Sequence, residues 1–408
     1  MSREMKDSGV SWIGEIPETW SDALLSSILD ERKNKNKGMQ EDNLLSLSYG
    51  NIVRKNINTN DGLLPASFEG YNIVESGDIV LRLTDLQNDH RSLRTGLCKE
   101  RGIITSAYTT LKQGSNKHDS RYLHYYLHCF DLCKGFYGMG DGVRQGLSYD
   151  GIRKIPMLIP TEGEEKVIAD FIDNQIGKVD ILITNQQKQI ERLKQYKQSL
   201  ITEVVTKGLN TDVEMKDSGV EWVGKIPANA RIIHLRHIVD IETGNMDTQN
   251  STPDGEYPLY VRSPIVERCD TYTFDDEVAI LMAGDGAGAG RIFHLVNGKY
   301  GCHQRVYRMN GFKYVIPKLI KYYLEVMFPI LMEQGSAKST VDSVRLPMLK
   351  SFPVVVMDDE CQNKIVSYLD KKCSKIDSLI AIKQKKIEKL NQYKKSIVYE
   401  YVTGKKEA

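Results

Sequence analysis

A glycine-rich run, GDGAGAG at residues 284–290, is the stretch that most resembles a chemical site. Backbone N–H groups in such a run can cradle a phosphate when the N-terminus of a helix stands behind them. Here the run follows a strand-like stretch (residues 278–282), and residues 291–296 after it have the pattern of a second strand. The sequence G-x-x-x-x-G-K-[ST] is also missing. We therefore predict a tight strand–turn–strand connection that allows close backbone approach, rather than a nucleotide site.

Other arrangements typical of catalysis are missing from the sequence. His303 stands between Cys302 and Gln304 without further ligand-spaced residues, so no metal site is predicted. No Ser–His–Asp or Cys–His arrangement stands out. The [N/D]-P-P-[Y/F] tetrapeptide of amino-methyltransferases and the Walker and nuclease-like acidic signatures are absent. We predict a chain that is not an enzyme on its own and that binds no metal or cofactor.

Polar residues at matching places point instead to DNA. Residues 78–108 align without a gap to residues 277–307, yet residues 104–106 read Ile-Thr-Ser where residues 303–305 read His-Gln-Arg. In the major groove arginine binds guanine and glutamine binds adenine, whereas serine and threonine are less selective. Two such copies would read two different half-sites of an asymmetric, split sequence; the alternative is an ordinary solvated surface. The candidate DNA contacts are Arg82, Gln87, Asn88, Arg91, Arg94, Thr105 and Ser106 in the first copy, and Arg262, Arg291, His303, Gln304, Arg305 and Arg308 in the second.

Two long repeated stretches are predicted to be helices. Residues 168–207 align without a gap to residues 365–404 (365 − 168 = 197), and neither stretch contains proline. Apolar residues recur at alternating spacings of four and three, which is the seam of a coiled coil. The seam residues are Ile172, Ile176, Val179, Ile183, Ile190, Leu193, Leu200 and Val204 in the first stretch, and Leu369, Cys373, Ile376, Ile380, Ile387, Leu390, Ile397 and Tyr401 in the second.

Polar residues interrupt both seams at the same two places, Gln186 with Lys383 and Lys197 with Lys394. Such interruptions lower stability but fix the register, so each helix is expected to need a specific partner. The simplest arrangement packs the two helices on each other; the alternative is two independent surface helices.

A second repeat precedes each variable segment. Residues 4–17, EMKDSGVSWIGEIP, return as residues 214–227, EMKDSGVEWVGKIP. Glycine and proline interrupt these stretches too often for a helix, so we predict a structured loop anchored by a buried Trp12 or Trp222. The loop follows the first long helix but not the second. This circular order predicts that the two chain ends lie close together.

The segments between these repeats predict two copies of one α+β domain. Residues 78–83 and 278–282 have strand patterns, and residues 155–160 and 352–357 close each segment with another strand. Residues 121–130 and 318–327 predict short amphipathic helices, with Tyr126, Leu127 and Phe130 on the buried face of the first.

The composition is that of a soluble protein. The 408 residues are 40% hydrophobic and 27% charged, with a net charge of +1. The seven cysteines contain no C-x-x-C pair and are expected to be reduced thiols. Without an apolar run near 18 residues or a signal-peptide pattern, we expect a cytoplasmic chain that does not contact membranes.

The DSGVxWxGxIP loops, the closing I-P or F-P strands and the alternation of variable segment with long helix identify a resemblance. Over essentially its whole length the chain resembles the DNA-specificity subunit of type I restriction–modification systems. The resemblance implies an α+β fold in which two pseudo-repeated globular target-recognition domains are joined by two long antiparallel coiled-coil helices, in a circular pseudo-twofold organisation. The domain bounds expected are 1–19 for the N-terminal loop, 20–160 and 231–357 for the recognition domains, 161–208 and 358–408 for the helices, and 209–230 for the linker.

The resemblance also implies partners. Each recognition domain would read one half of a bipartite site in double-stranded DNA, and the helices would dock two methyltransferase subunits with the help of their seam residues. Those subunits would methylate adenine N6 with S-adenosylmethionine, and up to two restriction subunits would use ATP and Mg²⁺. The family often carries Glu-Gln at the start of the conserved helix, where this sequence has Glu164-Glu165 and Glu360-Cys361. Two alternatives stay open: a coiled-coil scaffold that binds only protein, and a self-sufficient enzyme.

The helix length gives a first prediction. A helix of about 40 residues reaches ~60 Å, which is less than two turns of B-DNA, so the half-sites should lie about one turn apart. Inserting one heptad into both helices is expected to lengthen the gap between the recognised half-sites. Sequencing of methylated sites in cells that carry the altered chain measures this gap, and an unchanged gap would contradict the prediction.

Overall fold

The structure, a computed structural model, describes residues 3–58, 65, 67–86, 93–115, 117–140, 146–210, 212–335 and 343–408, without the side chains of residues 334 and 335. The chain divides into two compact units, Met1–Gln186 with Lys385–Ala408, and Gln187–Gln384. The division passes through both long helices, whereas the predicted domain bounds separate helices from globular segments; those bounds stay predictions. None of the helices in the described part of the chain has the length and apolar character needed to span a membrane.

In the part of the chain that the structure describes, twelve short strands and two α-helices precede the first long helix. They are β1 (Met5–Asp7), β2 (Glu15–Pro17), β3 (Ser21–Leu24), β4 (Leu29–Glu31), β5 (Leu45–Ser48), β6 (Asn51–Arg54), β7 (Asn72–Val74), β8 (Ile79–Leu81), β9 (Thr95–Leu97), β10 (Gly102–Ile104), β11 (Thr109–Gln113), α1 (Ser120–Leu132), α2 (Tyr149–Ile152) and β12 (Pro156–Ile159). The long helix α3 (Glu164–Lys207) follows.

The remainder of the chain repeats this order with longer strands. Its elements are β13 (Met215–Asp217), β14 (Lys225–Pro227), β15 (Arg231–His234), β16 (Asp240–Thr243), β17 (Tyr257–Tyr260), β18 (Glu267–Cys269), β19 (Phe274–Ala283), β20 (Phe293–Cys302), β21 (Val306–Asn310), α4 (Pro317–Gly335), α5 (Leu346–Lys350), β22 (Pro353–Val356) and the second long helix α6 (Asp359–Val402).

The two units share one sheet topology. The sheet order is β4-β11-β8-β9 in the first unit and β16-β21-β19-β20 in the second, where β17 and β18 extend it. In each unit the closing strand pairs with the strand after the repeated loop, β12 with β3 and β22 with β15. The predicted buried face of α1 is confirmed, since Tyr126, Leu127 and Phe130 are buried. The prediction of two copies of one α+β domain is therefore confirmed.

The long helices pair antiparallel within each unit. In the first unit Lys394 Nζ lies 2.6 Å from Asp180 Oδ1, and in the second Lys197 Nζ lies 2.7 Å from Asp377 Oδ2. Lys197 and Lys394 are one of the two repeated pairs that interrupt the predicted seams, and they form ion pairs with aspartates that also occupy repeated positions. These contacts mark one register of the helix pair.

Every predicted seam residue is buried or half-buried. Ile172 and Leu369, for example, are fully buried, and Ile176 and Ile380 are half-buried. The seam is therefore core. Packing within the chain covers these side chains, so they form the contact between the two long helices. The expectation that they also dock a partner subunit stays a prediction.

The repeated loops differ from the prediction in one respect. Each contains a short hairpin, β1–β2 and β13–β14, rather than only a loop. Trp12 and Trp222 are half-buried; the fully buried tryptophan is Trp20, just after the first loop. The Trp12 ring packs edge-on against the Tyr126 and Phe130 rings of α1, with 5.6 Å between ring centroids in each case.

The two chain ends meet in the first unit, as the circular order predicts. Arg3 Nε lies 3.6 Å from Glu407 Oε1, and Lys405 Nζ donates to the Glu15 carbonyl. The two chain ends pack closely against each other at Gly404, which has a φ of +68°. A Cβ at this position would run into the ring of Pro17 and lie 3.1 Å from Trp20 Cη2.

This closure gives a stability prediction with a matched control. Gly9 has the same φ of +68° but open space around it, so Gly9→Ala isolates the backbone cost, ~1 kcal/mol. Gly404→Ala adds the clash and should lower the free energy of unfolding by about 2–4 kcal/mol. Urea unfolding followed by tryptophan fluorescence measures both variants. Equal losses for the two glycines would contradict a tight contact between the chain ends.

Candidate nucleic-acid interface

An aspartate in the glycine-rich turn gathers two arginines in the second unit. Asp285 lies between β19 and β20, and its carboxylate accepts hydrogen bonds from Arg262 Nη1 (3.1 Å) and Arg305 Nη1 (2.5 Å). The Asp285 side chain is 13% exposed, whereas those of Arg262 and Arg305 are 43% and 63% exposed. Two cations are thus held at the surface by one largely buried anion.

The glycines explain how three distant stretches of chain reach one another. A Cβ on Gly284 would lie 2.9 Å from the Arg305 carbonyl oxygen, and one on Gly288 would lie 2.8 Å from the Arg262 carbonyl oxygen. Only glycine lets the turn approach both backbones this closely. The turn joins two strands, so the strand–turn–strand prediction is confirmed. Close approach serves here to place Asp285 between the arginines.

The electrostatics keep this group ionised. Burial favours a higher pKa for Asp285, but hydrogen bonds from Arg305 and Arg262 outweigh burial and hold the pKa below its ordinary value. A carboxyl with a depressed pKa stays charged at neutral pH and loses its contribution only as the pH falls through that lower pKa. One carboxylate and two guanidinium groups leave a net positive charge with planar donor forks, which suits a phosphate or a guanine edge.

Gln304 and His303 lie beside this group in different roles. Gln304 is exposed in the turn between β20 and β21, where its Nε2 donates to Asp247 Oδ2 at 2.7 Å. His303 is 2% exposed, and its Nδ1 accepts a hydrogen bond from the Arg305 backbone N–H at 3.0 Å. Burial lowers the pKa of His303. His303 therefore supports the turn, and the prediction that it contacts DNA is wrong because its side chain is buried.

The other two arginines of the second unit differ from each other. Arg308 is buried and lies against Asp276, to which its Nε donates at 2.8 Å. The Asp276 carboxylate also accepts from the Tyr300 hydroxyl at 2.5 Å. Arg308 therefore forms an ion pair inside the domain, and the prediction that it contacts DNA is wrong because its side chain is buried. Arg291 is exposed where the glycine-rich turn ends.

The described candidates of the first unit differ in exposure. Thr105 and Ser106 lie in the turn between β10 and β11, half-buried and exposed respectively. This turn matches that of Gln304, since a parallel bridge precedes it in both units, from Leu44 to Ile103 and from Met246 to His303. Arg82 is exposed directly after β8. Gln87, Asn88 and Arg91 lie outside the described residues.

The prediction that Arg94 contacts DNA is wrong, because the Arg94 side chain is fully buried. Its guanidinium donates to the carbonyls of Arg82 and Thr84 (Nη1, 3.0 and 2.8 Å) and of Asp85 (Nη2, 3.0 Å). It also lies over the ring of Tyr137 at 5.2 Å. Arg94 therefore holds the chain after β8 in place from inside the domain.

Sequence reasoning missed the anionic half of the site. Asp285 and Asp247 orient the candidate contacts, yet neither was among them. The position of Asp285 within a run of glycines was the available signal, because glycine there allows close approach of other chain segments. In the described residues no cluster of three or more His, Cys, Asp or Glu side chains is arranged to hold a metal ion.

Comparison with protein families adds an independent finding. The family model for the type I restriction modification DNA specificity domain matches residues 227–403. The type I restriction enzyme MjaVIII specificity subunit of Methanocaldococcus jannaschii is 25% identical over 421 aligned residues, which cover 96% of this chain and 93% of that protein. The EcoDI specificity subunit of Escherichia coli is 23% identical over 180 residues, which cover 43% of this chain and 38% of that protein.

A solved structure shares the fold. A chain from work on complex assembly and conformational transition of the type I R-M system superimposes with a TM-score of 0.70. The match covers 95% of this chain and 98% of the solved one, at 12% sequence identity. At that identity the likeness establishes the fold, two mixed units built on long helices.

Arg94 and Arg82 form a matched pair for a stability test. Arg94→Met takes the donor away from three backbone carbonyls that bind the buried Arg94 side chain, so the free energy of unfolding should fall by about 2–4 kcal/mol. Arg82→Met changes an exposed side chain on the same segment and should stay within ~0.5 kcal/mol of the parent. Chemical denaturation compares the two. If Arg94→Met matched Arg82→Met, the internal role of Arg94 would be refuted.

Proposed function

We propose that the chain is a specificity subunit of a type I restriction–modification system and that it selects the DNA sequence on which such a complex acts. Each unit reads one half of an asymmetric, bipartite site. The observation that carries the proposal is that the two units share their strand order but differ at the turn before β11 and β21. Thr105 and Ser106 occupy this turn in the first unit, and Gln304 and Arg305 in the second.

The second unit is proposed to read through its arginine pair. Asp285 holds Arg262 and Arg305 with their side chains partly exposed, which reduces the conformational freedom lost on binding. Arg305 is suited to guanine and Gln304 to adenine, and each good bidentate contact discriminates by ~1–3 kcal/mol. Arg262 and Arg291 are assigned to the same surface, where they would contact bases or phosphates.

The first unit is proposed to read with smaller groups. Thr105 and Ser106 offer hydroxyl donors and acceptors, which discriminate less than arginine, and Arg82 supplies a charge for a phosphate. Gln87, Asn88 and Arg91 remain candidates in the neighbouring stretch. The two half-sites should therefore differ in how strictly each base is specified.

The chemistry is proposed to lie in partner subunits. Two methyltransferase subunits would methylate adenine N6 with S-adenosylmethionine, and up to two restriction subunits would use ATP and Mg²⁺. The helix faces away from the seam offer docking positions, since Leu182 and Tyr196 are 45% and 54% exposed and their repeat partners Leu379 and Tyr393 are 39% and 52% exposed. A scaffold that binds protein but not DNA is the competing function, and the arginine pair argues against it.

The test compares adenine methylation at base resolution in cells that carry this chain with a methyltransferase subunit of the same system and in cells without this chain. A split, asymmetric methylated sequence that requires the chain is the expected result. Identical methylation in both cells, or none in either, would favour the scaffold.

A pair of variants then assigns the half-sites. Gln304→Ala with Arg305→Ala should relax or abolish one half-site by ~1–3 kcal/mol per lost contact and leave the other half-site's bases unchanged. Thr105→Ala with Ser106→Ala is the matched control on the other unit and should affect the opposite half. If both double variants changed the same half-site, the assignment of one unit to one half would be wrong.

A further inference from the structure

Within the first unit an aspartate of the long helix holds the start of a domain helix. Asp173 on α3 accepts a hydrogen bond from Arg121 Nη1 at 2.9 Å and another from the Tyr125 hydroxyl. Arg121 and Tyr125 lie one turn apart on α1, so the Asp173 carboxylate contacts two residues on one face of that helix. Arg121 Nη1 also donates to Asp170 Oδ1 of α3 at 2.7 Å. Asp119 caps α1 and also binds Arg121, through Arg121 Nη2 at 2.7 Å.

The second unit repeats this contact with different side chains. Asp370 on α6 accepts from Lys318 Nζ at 2.7 Å and from the Tyr322 hydroxyl at 2.8 Å. Both residues lie on α4. Lysine replaces arginine, yet the cation, the tyrosine and the aspartate keep their relative places. We call each of these arrangements the clasp: Arg121, Tyr125 and Asp173 in the first unit, and Lys318, Tyr322 and Asp370 in the second.

A second contact lies about two helical turns before each aspartate. Glu165 Oε2 accepts from the Asp119 backbone N–H at 2.8 Å, and Gln362 Oε1 accepts from the Ile316 backbone N–H at 2.8 Å. Glu165 therefore corresponds to Gln362. The sequence comparison that set Glu164-Glu165 against Glu360-Cys361 was shifted by one residue. Each of these side-chain oxygens accepts a hydrogen bond from a backbone N–H at the start of the helix that it holds, α1 in the first unit and α4 in the second.

The energetics favour a geometric role for the clasp over a stabilising one. The side chains of Asp173 and Asp370 are 44% and 37% exposed, and ion pairs this exposed contribute little to stability. Two contacts spaced along the same helix do, however, fix both the position and the direction of the helix they hold. A weak contact kept in both units, with arginine exchanged for lysine, has the properties of a positioning device.

We propose that the clasp sets the direction of each recognition domain on its long helix and thereby makes the subunit strict about the length of the spacer between half-sites. Asp173, Tyr125, Asp370 and Tyr322 are positioning residues in this scheme, since they act through the domain and not on DNA. The inference rests on the proposed function. It goes beyond that function because it concerns spacer tolerance and not base readout.

The experiment uses the full chain in complex with its methyltransferase subunits. Methylation is measured on DNA with fixed half-sites and spacers of the native length, one base pair shorter and one base pair longer. Asp173→Ala with Asp370→Ala removes both carboxylates. Tyr125→Phe with Tyr322→Phe removes only the hydroxyls and keeps the ring packing, so folding is retained. Glu191→Ala with Glu388→Ala, a repeat-related and exposed pair on the same helices, is the matched control.

We expect the preference for the native spacer over the altered spacers to fall about fivefold or more in the aspartate variant. The tyrosine variant should show a smaller fall in the same direction, and the control no change. The bases recognised in each half-site should stay the same. Together, these results distinguish a recognition domain that is held less firmly on its long helix from one that has lost contacts to DNA bases.

An unchanged spacer preference in both clasp variants would overturn the inference. So would an equal loss of methylation at all three spacers, because that result indicates only lower stability. The failure of the proposed function looks different: the unaltered complex would then show no sequence-dependent methylation at any spacer.

Discussion

The pairing of the two long helices is the interaction on which both units depend. The core of the first unit includes Ile168 and Ile172 from α3 together with Ile397 and Val402 from α6. The core of the second likewise combines Val204 and Val205 of α3 with Ile365 and Leu369 of α6. Neither core is complete with one helix alone. Because burial of apolar side chains supplies most of the stabilising free energy, helix pairing and domain folding must occur together.

Because the chain contains two copies of one domain, a comparison of the copies distinguishes the features that the fold requires from the surface features that can vary. Strand order and the closing strand recur in both units because each is fixed by packing or by backbone hydrogen bonds, whereas the clasp recurs through side chains on the helices. Side chains on the turns before β11 and β21 meet no such requirement. They could diverge from Thr-Ser to Gln-Arg while the turn itself stayed in place. A protein whose task is to recognise different sequences is well served by such a division, because altered readout need not disturb the fold.

The structural features predicted best are those whose residues recur at a regular spacing or in repeated stretches of the sequence. The helix seams, the strands and the circular order follow from spacing alone, and the structure has them. The site was less predictable, because arginine looks the same in a sequence whether it is exposed or buried. Arg94 and Arg308 satisfy internal acceptors, which only three-dimensional contacts reveal. Asp285 was missed since its partners, Arg262 and Arg305, are distant in the chain and meet only when glycines let the turn close.

The lysines within the seams show why lower helix stability can serve this protein. An all-apolar seam would stabilise the pair more strongly but would tolerate a slip by one heptad, since leucine packs against isoleucine in either register. Such a slip would take Lys197 away from Asp377 and Lys394 away from Asp180, and it would leave these charges unpaired beside apolar residues. The lysine side chains are only 29% and 28% exposed, so in a slipped register each would lie partly covered by apolar residues without its aspartate, which is unfavourable for a charged group. The interruptions therefore disfavour wrong registers at some cost in stability, and one fixed register is what two helices need when together they complete the cores of both units.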